Sequence, residues 1–357
     1  MFYQLARAAA VISLVSALTG CGGALSGPPS DEANGNNVSS TLGTAHAKSA
    51  LNSWAFSVGS HLVRSWVKPE AKQKDLMYIS DPLGHAVYIY SYPAAKQVGT
   101  IGGLVTPAGM CTDSKQNVWI TDQSNYEILE FAHGGTKPIQ TLTQFGQYLL
   151  GCSVDPKTGA LAVTSFCQVH DYVCTSPGSV FVYKNTTKNP TQYAIPQGQD
   201  AGFCGYDPNG NLFIDGQGGP SVPFILVELP AGASTAKSIS LDRPIYWPGA
   251  VQWDGKYLAV GDQLAGNQNA SSVHQIKIKG IKGTTVSTTP LHGVTDAPDP
   301  WIQGSTIVVP NYTDRTNDAR FYKYPVGGDP TLVFGSGSYV EPEAAVVSLA
   351  RTQRPKK

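Results

Sequence analysis

Charge is what this chain has least of. Only 14% of its 357 residues are Asp, Glu, Lys or Arg, well below the roughly 25% of an average soluble domain. The 25 basic and 25 acidic residues cancel, which argues against nucleic acid, or a membrane surface held by bulk charge, as a partner. His46, His61, His85, His133, His170, His274 and His292 show no H-x-H or H-x-x-x-H spacing. The usual zinc pattern is therefore missing, and these read as surface histidines. No G-x-S-x-G elbow offers a serine nucleophile. The pairs Gly102-Gly103 and Gly218-Gly219 read as turns and not phosphate loops, since no helix is expected after them. Past residue 21 no run of 18 or more apolar residues occurs, so no helical membrane span is expected in the rest of the chain.

What the chain does have is turn and strand formers, with 38 Gly, 25 Pro and 17 Tyr. They fit an all-β chain. The stretch GMCTDSKQNVWITDQSNYEILEF at 109–131 sets a pattern of small residues, a turn opened by Asp, an apolar strand, a second turn and another strand. It returns as GCSVDPKTGALAVTS from Gly151, GFCGYDPNGNLFIDG from Gly202 and GAVQWDGKYLAVGDQ from Gly249, and more weakly as WIQGSTIVVPNY from Trp301. The turn residues Asp113, Asp155, Asp207, Asp254 and Gln303 are spaced by 42, 52, 47 and 49. Strand-and-turn units at that period are the mark of β-propeller blades.

The chain opens with an export signal over residues 1–20. Arg7 supplies the positive end, and residues 8–18 form an apolar run too short to span a bilayer. It closes on Leu18-Thr19-Gly20-Cys21, which resembles the bacterial lipobox. That resemblance implies a diacylglycerol on Cys21 and anchorage to a membrane in the bacterial cell envelope, on its extracytoplasmic side. Each buried CH₂ of such a lipid contributes about 0.8 kcal/mol. Residues 21–50 are small, polar and rich in Pro and Gly, and read as a flexible tether. Residues 51–74, with Trp54, Phe56 and Trp66, are expected to pack on the edge of the folded body.

That body is expected over 75–350, with a short tail at 351–357. Blade one has three strands, at 76–81, 86–93 and 96–101, and four more blades start near Gly109, Gly151, Gly202 and Gly249. A sixth starts near Asp299. The segment EAAVVSLA at 343–350 is a strand without a blade, and its natural place is the missing innermost strand of blade one. The expectation is an all-β, six-bladed propeller closed by its C-terminal strand, which removes two exposed sheet edges. Innermost strands read PAGMC, LLGCS, FCGY, GAVQ and EAAVV, small because six strands converge on one axis.

The signal accounts for Cys21. Cys167 and Cys174 flank a short polar insertion between two strands and are expected to pair across a hairpin. Cys111, Cys152 and Cys204 all sit in innermost strands. Packed thiols are one reading, and a Cys152–Cys204 bond between neighbouring blades is the other. By period-2 alternation Cys111 faces the opposite way from both.

The units CTDSKQNVWITDQSNYEILEF, CSVDPKTGALAV and CGYDPNGNLFIDG resemble the D-x-x-G-N-h-h-V-x-D repeat of NHL-type and gluconolactonase/regucalcin-like six-bladed propellers, over roughly 75–350. The resemblance implies a fold shared by lactonases, lyases, scaffolds and ligand-binding modules. In the lactonases a divalent cation such as calcium is held in the central channel by carboxylates and Asn residues. Here Asp200, Asp296 or Asp299, and Glu343 are the acids placed to converge on one ion. The family's pair of channel Asn residues is missing. In its place Tyr148, Tyr246 and Trp247 stand at the expected channel mouth, where they could stack on a sugar or peptide or pack between blades. Two functions follow. One is a lipid-anchored propeller that binds or scaffolds an unknown protein, peptide or sugar. The alternative is a channel-metal lactonase or hydrolase.

Overall fold

A computed structural model describes residues 63–170, 173–184, 189–219, 222, 224–265, 270–312 and 316–350. All of these belong to one unit of the chain, Val63–Lys357. The export signal, the lipidation motif at Cys21, the tether and the segments 51–62 and 351–357 lie outside the described residues.

Alternating apolar runs cut by Asp, Gly and Pro produce strands and no α-helix among the described residues, only short 3₁₀ turns such as Pro69–Gln73 and Gln123–Asn125. None of their helices is long and apolar enough to cross a membrane. The strands form six sheets, arranged as the six blades of a β-propeller. Blade 2 is the simplest, β5 (Pro107–Thr112), β6 (Val118–Asp122), β7 (Glu127–Phe131) and β8 (Pro138–Thr143), ordered from the axis outward. Blade 3 is β9 (Gln147–Val154), β10 (Leu161–His170), β11 (Val173–Tyr183) and β12 (Thr191–Ala194). Blade 4 is β13 (Cys204–Tyr206), β14 (Leu212–Gly216), β15 (Ile225–Leu229) and β16 (Lys237–Ser238).

Blade 5 runs outward through β18 (Pro248–Trp253), β19 (Leu258–Asp262), β20 (Ser271–Lys279) and β21 (Lys282–Leu291). A short parallel strand, β17 (Ser240–Leu241), lies on its rim. Blade 6 is β22 (Trp301–Gln303), β23 (Thr306–Asn311), β24 (Asp318–Lys323) and β25 (Leu332–Phe334). In blade 1, β2 (Leu76–Asp81), β3 (Ala86–Ser91) and β4 (Lys96–Ile101) carry β1 (Trp66–Val67) on the outer edge. The innermost position is taken by β26 (Ala345–Ser348), antiparallel to β2 with Leu76 opposite Ser348 and Ile79 opposite Ala345.

Each turn Asp holds the hairpin between first and second strands. Asp207 accepts the N–H groups of Asn209 and Asn211 at 2.8 and 2.9 Å, and Gly210 supplies the positive φ of 83° that the turn needs. Second strands β6, β14 and β19 are buried at every residue, because each is covered by a neighbouring blade on both faces. At the hub the inner strands come so close that a Cβ on Gly109 would sit 2.2 Å from the carbonyl oxygen of Leu150. The small-residue bias of these strands is thus a packing requirement.

Side chains also cross between neighbouring inner strands. Thr121 donates its hydroxyl to the carbonyls of Gly109 and Leu150, joining blades 2 and 3. At the next joint Thr164 bridges Gly151 and Gly202. In blade 4 the same register position is Asp215, whose carboxylate accepts from Phe203 N–H at 2.6 Å and from Gly249 N–H of blade 5 at 3.0 Å. Gln252 ties blade 5 to blade 6 through both its amide atoms and the backbone of Ile302.

The inter-blade bond joins a different pair from the Cys152–Cys204 pair expected, and the packed-thiol reading holds for Cys204 alone. Cys111 and Cys152 form a disulfide between blades 2 and 3, and Cys204 is a buried free thiol. Alternation is the reason. Two sheets lying face to face meet through opposite faces, so only cysteines of opposite parity point at one another. Cys111 and Cys152 share the apolar cluster between blades 2 and 3, with Trp119 and Val163. Cys204, with the parity of Cys152, packs instead with Ala162 and Val180 between blades 3 and 4. The second disulfide, Cys167–Cys174, closes the hairpin of β10 and β11 as expected.

Candidate functional site

Six inner strands around one axis leave a channel with two ends. At one end, the start rim, the chain enters each inner strand; at the other, the hairpin rim, it turns back into the second strand. Acidic residues at the start rim of four blades are engaged by backbone. Asp122, the last residue of β6, accepts from Val105 and Thr106 N–H at 3.0 and 2.6 Å. Asp262 does the same for Tyr246 and Trp247, both at 3.1 Å, and Asp81 for Val340 and Glu341 at 2.9 and 2.8 Å. Each carboxylate staples the loop that leads into an inner strand. Blade 4 reverses the roles. Asp200 stands on the incoming loop and accepts from Gln217 N–H at 2.6 Å, while burial pushes its carboxyl up to about 7.

The residues expected at the mouth divide accordingly. Tyr148 makes an edge contact with Phe166, ring centres 6.0 Å apart. Tyr246 is exposed and Trp247 half-buried, their backbones pinned by Asp262. Glu343 is buried; its backbone bonds to Ser80 O and accepts from Asp299 N–H in the joint between blades 6 and 1. Among the described residues no three His, Cys, Asp or Glu side chains are grouped to hold a metal ion. Asp200, Asp299 and Glu343 therefore do not meet as one ligand set.

The cavity lies toward the other end. It measures about 320 Å³ and is walled by inner strands of blades 2 to 6. Met110, Thr112, Ser153, Val154, Gln252 and Asp299 line it, together with the aromatic residues Tyr206, Trp253 and Trp301 of three successive blades, of which Tyr206 and Trp301 also pack on the clusters between blades. No Lys, Arg or His is among the residues that line it. Of the side chains singled out from sequence, only Asp299 reaches this space, together with the three inner cysteines.

Asp299 is a joint as well as a lining group. Its backbone bridges Ala344 in the inner strand of blade 1, and its carboxyl accepts the N–H of Met110 in blade 2. Burial pushes that carboxyl up to about 8. Burial first, and then the nearby Asp200 and Asp299, drive the carboxyl of Asp215 well above the carboxylate range. The thiol of Cys204 is pushed up by burial and by the same two acids, so it stays protonated and inert.

In fold the chain is similar to a chain in the crystal structure of a nidogen/laminin complex, at 12% identity, a TM-score of 0.58, and coverage of 78% of this chain and all of that one. It is similar also to a protein of unknown function from Bacteroides caccae, at 10% identity and a TM-score of 0.56, with coverage of 78% and 100%. Hydrazine synthase of Kuenenia stuttgartiensis matches at 13% identity and a TM-score of 0.50, over 70% of this chain and 74% of that one. These likenesses show the fold. No family model matches the chain, and no curated protein does.

Tyr206, Trp253 and Trp301 were not singled out from sequence. The signal for Tyr206 and Trp253 is positional, whereas Trp301 stands two residues before its landmark Gln303. Thr112, Val154, Tyr206 and Trp253 each stand immediately before a turn Asp, so the column preceding the landmark traces the hairpin rim through four blades.

Proposed function

We propose that this protein is a binding module of the cell envelope, anchored through a lipid on Cys21, whose ligand enters the channel cavity from the hairpin rim. The observation that carries the reading is the cavity itself, a concave space of about 320 Å³ at the hub. Ligand sites are concave, largely apolar and pre-formed, with a few polar groups to orient the guest. The two disulfides support an oxidising compartment, which agrees with the lipobox-like Leu18-Thr19-Gly20-Cys21. Kinship with NHL-type and gluconolactonase-like propellers is part of the proposal, resting on the repeated D-x-x-G-N-like units.

Replacing Thr112 by Trp fills the cavity from an inner strand without removing a hub hydrogen bond. Native mass spectrometry of the full chain after incubation with envelope extract should show a bound species that the Thr112→Trp protein lacks. Equal adducts on both proteins would overturn a channel ligand. The second reading, a lactonase or hydrolase of the gluconolactonase-like class, is favoured by one observation: Asp299 is a protonated carboxyl facing a cavity, suited to donating a proton. Turnover of lactones that disappears in Asp299→Asn, with a divalent cation such as calcium found by elemental mass spectrometry, would establish it. A metal-free protein inert toward lactones removes it.

A further inference from the structure

The lining of the cavity combines three things that are each ordinary and together selective. Tyr206, Trp253 and Trp301 come from blades 4, 5 and 6 and bring three aromatic residues to the lining. Asp299 is the acid of that space, and no basic side chain lines it. Asp215, raised by burial and by Asp200 and Asp299, is a second acid within electrostatic reach of it. Aromatic faces carry negative quadrupoles, and ring walls beside a carboxylate are the arrangement that recognises ammonium groups. A neutral sugar would gain nothing from a counter-charge, and an anion would find no basic side chain to receive it. We infer that the cavity is a site for a small organic cation, a quaternary or primary ammonium compound, with Tyr206, Trp253 and Trp301 as its walls and Asp299 as its counter-charge. The inference rests on the binding-module reading and narrows it to one ligand chemistry.

Protonation adds a signature. Burial holds the Asp299 carboxyl at about 8, so near neutral pH it is largely protonated. Asp215 and the Cys204 thiol, both raised by burial, are within electrostatic reach of it, Asp200 acts on Asp215 in turn, and Glu343 accepts from its backbone N–H. An ammonium group beside Asp299 favours the charged carboxylate and expels its proton. Cation uptake at pH 7 should therefore release a proton, seen as a binding heat that depends on the ionisation enthalpy of the buffer.

The probes are choline and its uncharged carbon isostere 3,3-dimethylbutan-1-ol, titrated into the full chain by calorimetry and by tryptophan fluorescence. Choline should bind at least about tenfold more tightly than the isostere, release a proton, and quench fluorescence that Trp253→Leu alters. Asp299→Asn should abolish the preference for choline while leaving the isostere unchanged. Equal affinity for the two compounds in the unaltered protein overturns the inference, and needs no variant to fold. So does choline binding that Asp299→Asn leaves intact. If neither compound binds while Thr112→Trp still removes the adduct seen by native mass spectrometry, the cation falls and the binding module stands. If Thr112→Trp changes nothing in either experiment, both fall.

Discussion

The two rims of the channel are built from the same repeat and differ in the side chains they leave to face the channel. At the start rim Asp81, Asp122 and Asp262 each spend their oxygens on the N–H groups of an incoming loop. At the hairpin rim the turn acids Asp113, Asp155, Asp207 and Asp254 are likewise occupied within their own turns. The inner-strand residues just before those turns are held by their own sheet, and their side chains are left to line a cavity. An acid-rich mouth is therefore a poor guide to a site when loops must be fastened there. The better guide is the place where the backbone is already satisfied and side chains remain free to vary from blade to blade.

That contrast can be broken experimentally. The largest effect should come from the hub covalent bond, which closes a loop of 41 residues. Replacing Cys111 and Cys152 by Ser should cost about 4 kcal/mol by loop entropy, against about 2 for the Cys167–Cys174 pair, read by urea denaturation. The two pairs differ in separation, 41 residues against 7, and equal losses would mean that chain entropy is not what the hub bond constrains. Next comes the start rim. Asp262→Ala leaves the N–H groups of Tyr246 and Trp247 without their acceptor and should lower unfolding free energy by about 3 kcal/mol. Thr112→Trp, at the hairpin rim, should stay within about 1 kcal/mol. If the two variants change places, the division between fastening rim and binding rim is wrong.

A pH series sharpens the same division. Asp200 and Asp299 hold their protons in the folded chain up to about 7 and about 8, against 3.8 for an ordinary Asp. Between those limits the native state carries more protons than the unfolded one, so stability falls as pH rises. The thermal midpoint should therefore decline from about pH 5 to pH 8.5, and Asp299→Asn should flatten the upper part of that decline. A midpoint that rises over this range contradicts the raised carboxyls.

Much of the fold was legible because its signals are local. Asp207-Pro208-Asn209-Gly210 names its own turn, and the run Val118, Trp119 and Ile120 names a strand covered on both faces. The disulfide was half legible. Parity correctly set Cys111 against Cys152 and Cys204, but opposite parity is what lets neighbouring sheets share a bond. The site was the least legible part. The inner strands β5, β9 and β18 carry register shifts, between Pro107 and Met110, Leu149 and Cys152, and Pro248 and Val251. Each shift resets which side chains face the axis, and simple alternation from the turn does not carry through it. Asp299 was noticed for its charge, whereas its partners in the cavity are aromatic rings scattered one per blade.

One consequence concerns how such a ring opens. Blades 2 and 3 are welded at the hub, whereas the remaining neighbours are joined by hydrogen bonds such as those of Asp215 and Gln252. Mechanically the wheel has five independent sectors and not six. Any breathing of the bore must then be taken up by the unwelded sectors, which is the side where the rings of Tyr206, Trp253 and Trp301 stand.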